Sequence, residues 1–411
     1  MARLSPCLAY MFIEFARPMS WFPAISVLRP GLLVAVWGFA TVLIAQQRKR
    51  IPPVMWYVFG LCALMAWGVP WAVNNAWAFW GWQEFTVLTL GCVLPLAILP
   101  TSIAEVRLLI WAYLLAHIPT AINAIVHRGR GLGGWLEDEN DLAFALIAAL
   151  GVALYLLLGT RKKGQIALLV GLMAICLAAI VTSMSRGGFV GLAALGAYVF
   201  VLGPYRSRIA AVAILAILML VVLAPPTYWQ EVHSIGESVE SGTGEQRLYF
   251  WSLAWRMFLD HPLIGVGTRN YGIQAPNYQD PRRAFMWGEH TWGRAAHSLY
   301  FTLIPEHGLI GIAICAGFLW TTYKSITRLR RLTHPGVLSP QRASPRLMAS
   351  GLAAGIVGVL ATGVFISVLY YPVLWVLSGL VAALDETSSD SFKAHGTPVV
   401  QIGSSGRSER K

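Results

Sequence analysis

The chain has 411 residues, of which 56% are apolar and 12% charged, about half the charged share of an average soluble domain. Apolar runs of roughly 16 to 22 residues recur from end to end, and each is long enough to cross the ~30 Å hydrocarbon core as a helix, which excludes a set of soluble domains. A transmembrane β-barrel is excluded as well, because its strands would alternate apolar and polar residues.

Taken in order, the runs predict an all-α polytopic membrane protein with about twelve transmembrane helices, over 7–23, 27–45, 54–73, 85–100, 106–126, 142–159, 166–184, 188–203, 209–225, 298–322, 348–366 and 370–385. The first is the least regular, since it carries Glu14, Arg17 and Pro18. It is expected to serve as an uncleaved signal. The net charge of +12 is concentrated in short clusters between runs: Arg48-Lys49-Arg50, Arg161-Lys162-Lys163, Arg206 with Arg208, and Lys324 to Arg346. Such clusters read as cytoplasmic loops under the positive-inside rule, and not as a nucleic-acid surface. Twelve crossings with both termini in the cytoplasm put all of them on one side. The expected organisation is therefore 1–225 for helices one to nine, with a short outer loop at 127–141, and 226–297 for a large periplasmic loop. Helices ten to twelve follow in 298–385, and 386–411 form a polar, disordered cytoplasmic tail. The five cysteines all fall in apolar segments, with no disulfide framework and no CxxC spacing.

The stretch from Pro226 to His297 has no Lys, six Arg, seven Asp or Glu and four His. Loops of this length are uncommon without a function. Within it, Leu248, Trp251, Leu253, Trp255 and Phe258 recur at helical spacing, which predicts an amphipathic helix over 246–259 at the outer membrane interface.

No Walker A or dinucleotide-binding glycine motif occurs, and neither HExxH nor GxSxG is present. The remaining chemistry is Arg, His and a few carboxylates on the expected outer face. Arg186 follows Ser185 at a membrane boundary. Its planar fork suits phosphate oxygens, although a snorkelling role is equally consistent with the position. Arg247 opens the interfacial helix. Arg256, nine residues on, only loosely shares a face with it, and both could be ordinary interfacial charge, as could Arg282, Arg283 and Arg294. His297 sits where the loop re-enters the membrane, where an imidazole can accept a proton near pH 7 or simply be hydrogen-bonded. Glu306 and His307 fall inside span ten, either as a functional pair or as a hydrogen-bonding post between helices. Asn140 and Asp141, in the acidic run from Glu137, are expected to cap span six. Glu289, His290 and His297 match no trusted metal-ligand spacing, and no metal or cofactor is expected.

Four stretches together resemble the O-antigen ligase and O-antigen polymerase superfamily of bacterial envelope glycosyltransferases, most closely its O-glycosylation ligase branch associated with exosortase systems. They are Glu139-Asn140-Asp141-Leu142-Ala143, Ser185-Arg186-Gly187-Gly188, Arg247…Trp251…Asp260-His261-Pro262…Gly265-Val266-Gly267, and His297-Ser298…Glu306-His307-Gly308…Gly311. The resemblance covers roughly residues 130 to 320. Pro305 departs from it, because other members usually carry Gly or a helix former there.

The resemblance implies a glycan donor on undecaprenyl diphosphate, presented at the periplasmic face of the inner membrane. It also implies metal-independent, inverting transfer to a hydroxyl of a lipid, protein or polysaccharide acceptor. On that reading Arg186 and Arg247 hold the diphosphate, His297 is the catalytic base, and Glu306 orients His297 or the acceptor. Asn140, Arg256 and His307 are secondary substrate-binding candidates. The expected partners are the lipid-linked donor, the acceptor and membrane lipids, with no nucleic acid. A polymerase of the same superfamily is the nearest alternative. A lipid or polysaccharide transporter is a more distant one, since there is no internal repeat and the polar residues gather at one face.

Overall fold

The computed structural model describes residues 2–45, 50–202, 243–280, 291–331 and 340–394. Regular structure among them is entirely helical. In chain order the α-helices are α1 Ser5–Met11, α2 Pro30–Ile44, α3 Pro53–Gly68, α4 Asn75–Leu88, α5 Leu94–Ile98, α6 Ile103–Ala116, α7 Ile118–Val126, α8 Glu139–Gly159, α9 Lys163–Thr182, α10 Arg186–Leu202, α11 Thr243–Asp260, α12 Tyr271–Tyr278, α13 Leu299–Arg331, α14 Pro340–Thr362 and α15 Pro372–Ala394. Among the described residues, seven helical stretches are long and apolar enough to cross a membrane: Pro53–Trp71, Asn75–Ile98, Ile103–Val126, Glu139–Gly159, Lys163–Thr182, Leu299–Arg331 and Pro345–Thr362. Pro30–Ile44 and Arg186–Val201 are apolar but shorter. The expected span 209–225 lies outside the described residues.

The bundle is organised around α8, whose side chains from Asp141 to Ala153 are almost all buried. It packs most extensively on α14. A Cβ on Gly151 would come within 2.7 Å of Gly355 N, so the two helices cross backbone to backbone. Between membrane helices such close approach of small residues replaces the hydrophobic drive that lipid cannot supply. The long α13 packs on α3.

Three elements depart from the sequence reading, each for a local reason. The first expected span, 7–23, is not one continuous helix. After α1 a π turn covers Phe12–Ala16, Arg17 takes a left-handed φ of 51°, and Pro18 opens a 3-10 turn. The polar groups that break it are used: Arg17 Nε donates to Gly133 O at 3.0 Å, and Glu14 Oε1 accepts Trp135 Nε1 at 2.6 Å. The expected span 85–100 begins ten residues early, at Asn75, because the Asn74 side chain caps it through Trp77 N at 3.0 Å. The expected disordered tail from 386 is helical as far as Ala394. Asp385 accepts Arg328 Nη1 and Ser325 Oγ, each at 2.7 Å, and Thr387 and Ser388 are buried, so polar composition there conceals a packed helix. Residues 395–411 lie outside the described set.

The amphipathic helix expected over 246–259 is α11. Its Tyr249, Phe250, Leu253, Ala254 and Met257 form a small second core with Val266, Tyr271, Ala275 and Ala296. Leu248, Trp255 and Leu259 stay exposed. Seven and eleven residues after Leu248, they fall on one stripe of the helix at 100° per residue.

This outer assembly is fixed to the bundle at a break in α13. Gly308 has φ 58° and ψ −158°, and through the break Leu309 N donates to Pro262 O at 2.8 Å and Ile310 N to Leu263 O at 3.1 Å. In the reverse direction Val266 N donates to Pro305 O at 2.8 Å and Gly267 N to Glu306 O at 3.1 Å. Pro305, the departure from the motif pattern, thus lies at the start of a helix interruption whose freed backbone groups are paired by the Pro262–Gly267 segment.

Candidate functional site

The N-termini of α8, α10 and α13 and the first turns of α11 meet at one end of the bundle. Arg186 is the first residue of α10 and follows a turn in which Met184 has φ 51°. Ser185 caps that helix, its Oγ accepting Gly188 N at 3.0 Å and donating to Asn140 Oδ1 at 2.8 Å. Asn140 is therefore a bridge between two motifs rather than the cap expected from sequence. The cap is Asp138, whose Oδ1 accepts Asn140 N at 2.8 Å and Asn140 Nδ2 at 3.1 Å. Asp141 is buried and its Oδ2 accepts the Tyr371 hydroxyl at 3.0 Å.

Arg247 projects from α11 over the ring of Phe365, 5.6 Å from its centroid. Partial burial, and then the like charge of Arg186, pull its pKa below the ordinary arginine value.

His297 has a left-handed φ of 49° and keeps access to solvent. Its surroundings are tightly tied. Trp251 Nε1 donates to Ala296 O at 3.0 Å, and the Trp251 ring stacks on Phe301 at 4.9 Å. Ser298 N donates to Ser367 Oγ at 3.3 Å, and Leu299 N to Gly363 O at 2.7 Å. Crowding first, then the Arg247 charge, lower the His297 pKa; Asp138 opposes the shift and Arg294 adds to it. A lowered pKa favours the neutral imidazole, the form a general base needs.

Glu306 and His307 belong to a different cluster. The Glu306 carboxylate accepts Arg269 N at 2.9 Å and Tyr271 N at 3.2 Å, and takes a short bond from the Tyr370 hydroxyl. Tyr370 in turn meets His307 Nε2 at 2.7 Å. Both side chains are buried. The expectation that Glu306 orients His297 gives way to a post that clamps the 265–271 segment, because its oxygens are committed to that segment's amides. Arg256 is separate again: its Nη1 lies 3.5 Å from Tyr278 O, at the exposed edge of the outer assembly. Arg282, Arg283, Glu289 and His290 lie outside the described residues. Among the described residues no group of three or more His, Cys, Asp or Glu is placed to hold a metal ion.

Sequence reading overlooked Phe365, Ser367, Tyr370 and Tyr371, all in the connection between α14 and α15. The available signal was the pair of phenols directly before Pro372, polar tips in a segment otherwise read as the junction of two apolar spans.

A bundle of apolar helices, seven of them long enough to cross a membrane among the described residues, defines a polytopic membrane protein, with Arg186, Arg247 and His297 toward one end of the bundle. Residues 171–316 match the family model of the O-antigen ligases. The matched region, which is similar to that family, contains Arg186, Arg247, His297 and Glu306. No curated protein matches the chain.

Proposed function

We propose that this protein transfers a glycan from undecaprenyl diphosphate to an acceptor hydroxyl at the periplasmic face of the bacterial inner membrane. The observation that carries the reading is that three motifs share one end of the bundle: Ser185, next to Arg186, bonds to Asn140, Arg247 lies over Phe365, and Gly363 and Ser367 on either side of Phe365 hold the amides that follow His297. The acceptor oxygen attacks the anomeric carbon as the bond from that carbon to the diphosphate oxygen breaks, which inverts the configuration. His297 takes the hydroxyl proton, a contribution typically of ~10²–10⁴-fold. Negative charge gathers on the departing diphosphate, where the fixed guanidinium groups stabilise it without a metal ion. Asn140, through Ser185, sets the start of α10 and hence Arg186, while Glu306 holds the 265–271 segment against the bundle and His307 ties Tyr370 to α13. Arg256 is left as interfacial charge. Membership of the exosortase-associated ligase branch rests on motif resemblance.

The orientation is argued from charge. Lys162 and Lys163 stand at the start of α9 and Arg328, Arg330 and Arg331 at the end of α13. Both are the helix ends remote from Arg186 and His297, as the positive-inside rule asks of a periplasmic site.

The test uses purified protein in detergent with an undecaprenyl-diphosphate glycan and several candidate acceptors, with and without EDTA, following release of the lipid diphosphate. Acceptor-dependent, EDTA-insensitive release that disappears in a folded His297→Ala variant is expected. The responding acceptor separates ligase from polymerase. Full release by His297→Ala would remove the base assignment.

A further inference from the structure

The segment Gly363–Tyr371 lies beyond the matched region 171–316, yet it meets Arg247, Asp141, Glu306, His307 and the residues that follow His297. Gly363 O and Ser367 Oγ hold the two backbone amides that follow His297. Tyr370 joins Glu306 and His307, and Tyr371 holds Asp141. Phe365 makes the contact with a chemical consequence. Its ring lies under the Arg247 guanidinium at 5.6 Å, and its Cβ lies 3.5 Å from where a side chain on Gly187 would begin, one residue from Arg186.

Arg247 feels the like charge of Arg186, and partial burial of Arg247 strengthens that repulsion. A carboxylate partner would relieve it, but an incoming anion would then have to displace that carboxylate. An aromatic face relieves it differently. The ring quadrupole attracts the cation through the face of the guanidinium plane and does not occupy its N–H fork. We infer that Phe365 is a positioning residue that holds Arg247 beside Arg186 for a lipid diphosphate while leaving its hydrogen-bonding edge to the phosphate oxygens. The inference rests on the diphosphate reading given above and deepens it.

The experiment compares wild type, Phe365→Leu and Phe365→Tyr as purified full-length protein. Leu keeps an apolar side chain without a π face, and Tyr keeps the face. Undecaprenyl diphosphate binding is measured alongside transfer from an undecaprenyl-diphosphate glycan, with His297→Ala as control and thermal unfolding as a check on folding. Phe365→Leu should weaken lipid-diphosphate binding about 3- to 30-fold and raise donor KM accordingly, with a smaller change in kcat. Phe365→Tyr should stay within about twofold of wild type, because it retains the quadrupole. Binding by Phe365→Leu equal to wild type would overturn the inference, as would Phe365→Tyr failing as badly as Phe365→Leu, the pattern of lost packing. If wild type binds the lipid diphosphate but transfers nothing, the transferase reading fails and the binding comparison still decides the role of Phe365. If wild type does not bind it, both fail.

Discussion

On the proposed function, what surrounds His297 and the two arginines sets the chemistry each can perform. The lowered pKa of His297 has crowding as its first cause and the Arg247 charge as its second. A histidine base is active when unprotonated, so activity should fall as pH drops through this pKa. The acid limb of kcat/KM is thus expected below the ordinary histidine value of about 6.5. Replacing Arg247 with Gln removes one of the depressing causes, and an NMR titration of the His297 imidazole should show its pKa moving up. An unchanged titration would mean that Arg247 does not act on His297. At Arg186, lysine would preserve charge but present a point donor where the fork offers two parallel bonds. Arg186→Lys is expected to lose at least about 90% of kcat/KM, roughly 1.4 kcal/mol or more of transition-state stabilisation. Full activity in that variant would sink the diphosphate role. These residue types were legible in the sequence, since charged and imidazole groups at membrane boundaries are rare enough to stand out. Their partners were not, because Phe365 and Tyr371 look like ordinary span residues until the chain folds back.

Among the elements, the interrupted α13 and the Pro262–Tyr271 segment form a single unit. Gly265 has φ 71°, and a Cβ there would run into the backbone of Pro305 and Glu306. Gly293 has a similar φ of 74° with nothing within 4 Å of a built Cβ. Alanine at either position incurs left-handed backbone strain of about 1 kcal/mol, but only at Gly265 does a steric clash add to it. Gly265→Ala should therefore lower the unfolding midpoint in detergent clearly more than Gly293→Ala. Equal shifts would show that the docking of this segment contributes little to stability. The existence and approximate limits of α11 followed from apolar residues at helical spacing, and the Gly-Val-Gly motif was visible. Its docking against α13 was not, because backbone-to-backbone pairing across some forty residues leaves no periodicity. The same limit explains the tail, where Thr387 and Ser388 read as solvated and are in fact buried beside the Arg328–Asp385 pair.

For the whole molecule, the bundle separates a basic end from the site end, and this sets an expectation for topology. In a background lacking the five native cysteines, a cysteine at Glu137 should react with a membrane-impermeant thiol reagent added from the periplasmic side. A cysteine at Lys163 should react only after the membrane is opened. The reverse pattern would place the site in the cytoplasm and remove the argument for a lipid-linked donor.

The helical class, the membrane setting, the position of most helices and the residue types of the candidate site were legible in the sequence alone, because apolar run length and isolated polar groups are local properties. Tertiary structure decided the rest. It broke the first span at Arg17, moved the helix cap from Asn140 to Asp138, turned Glu306 from a partner of His297 into a clamp on the 265–271 segment, and set Phe365 beneath Arg247. Each of these depends on which distant backbone or ring arrives beside a residue, and that is fixed only when the helices pack.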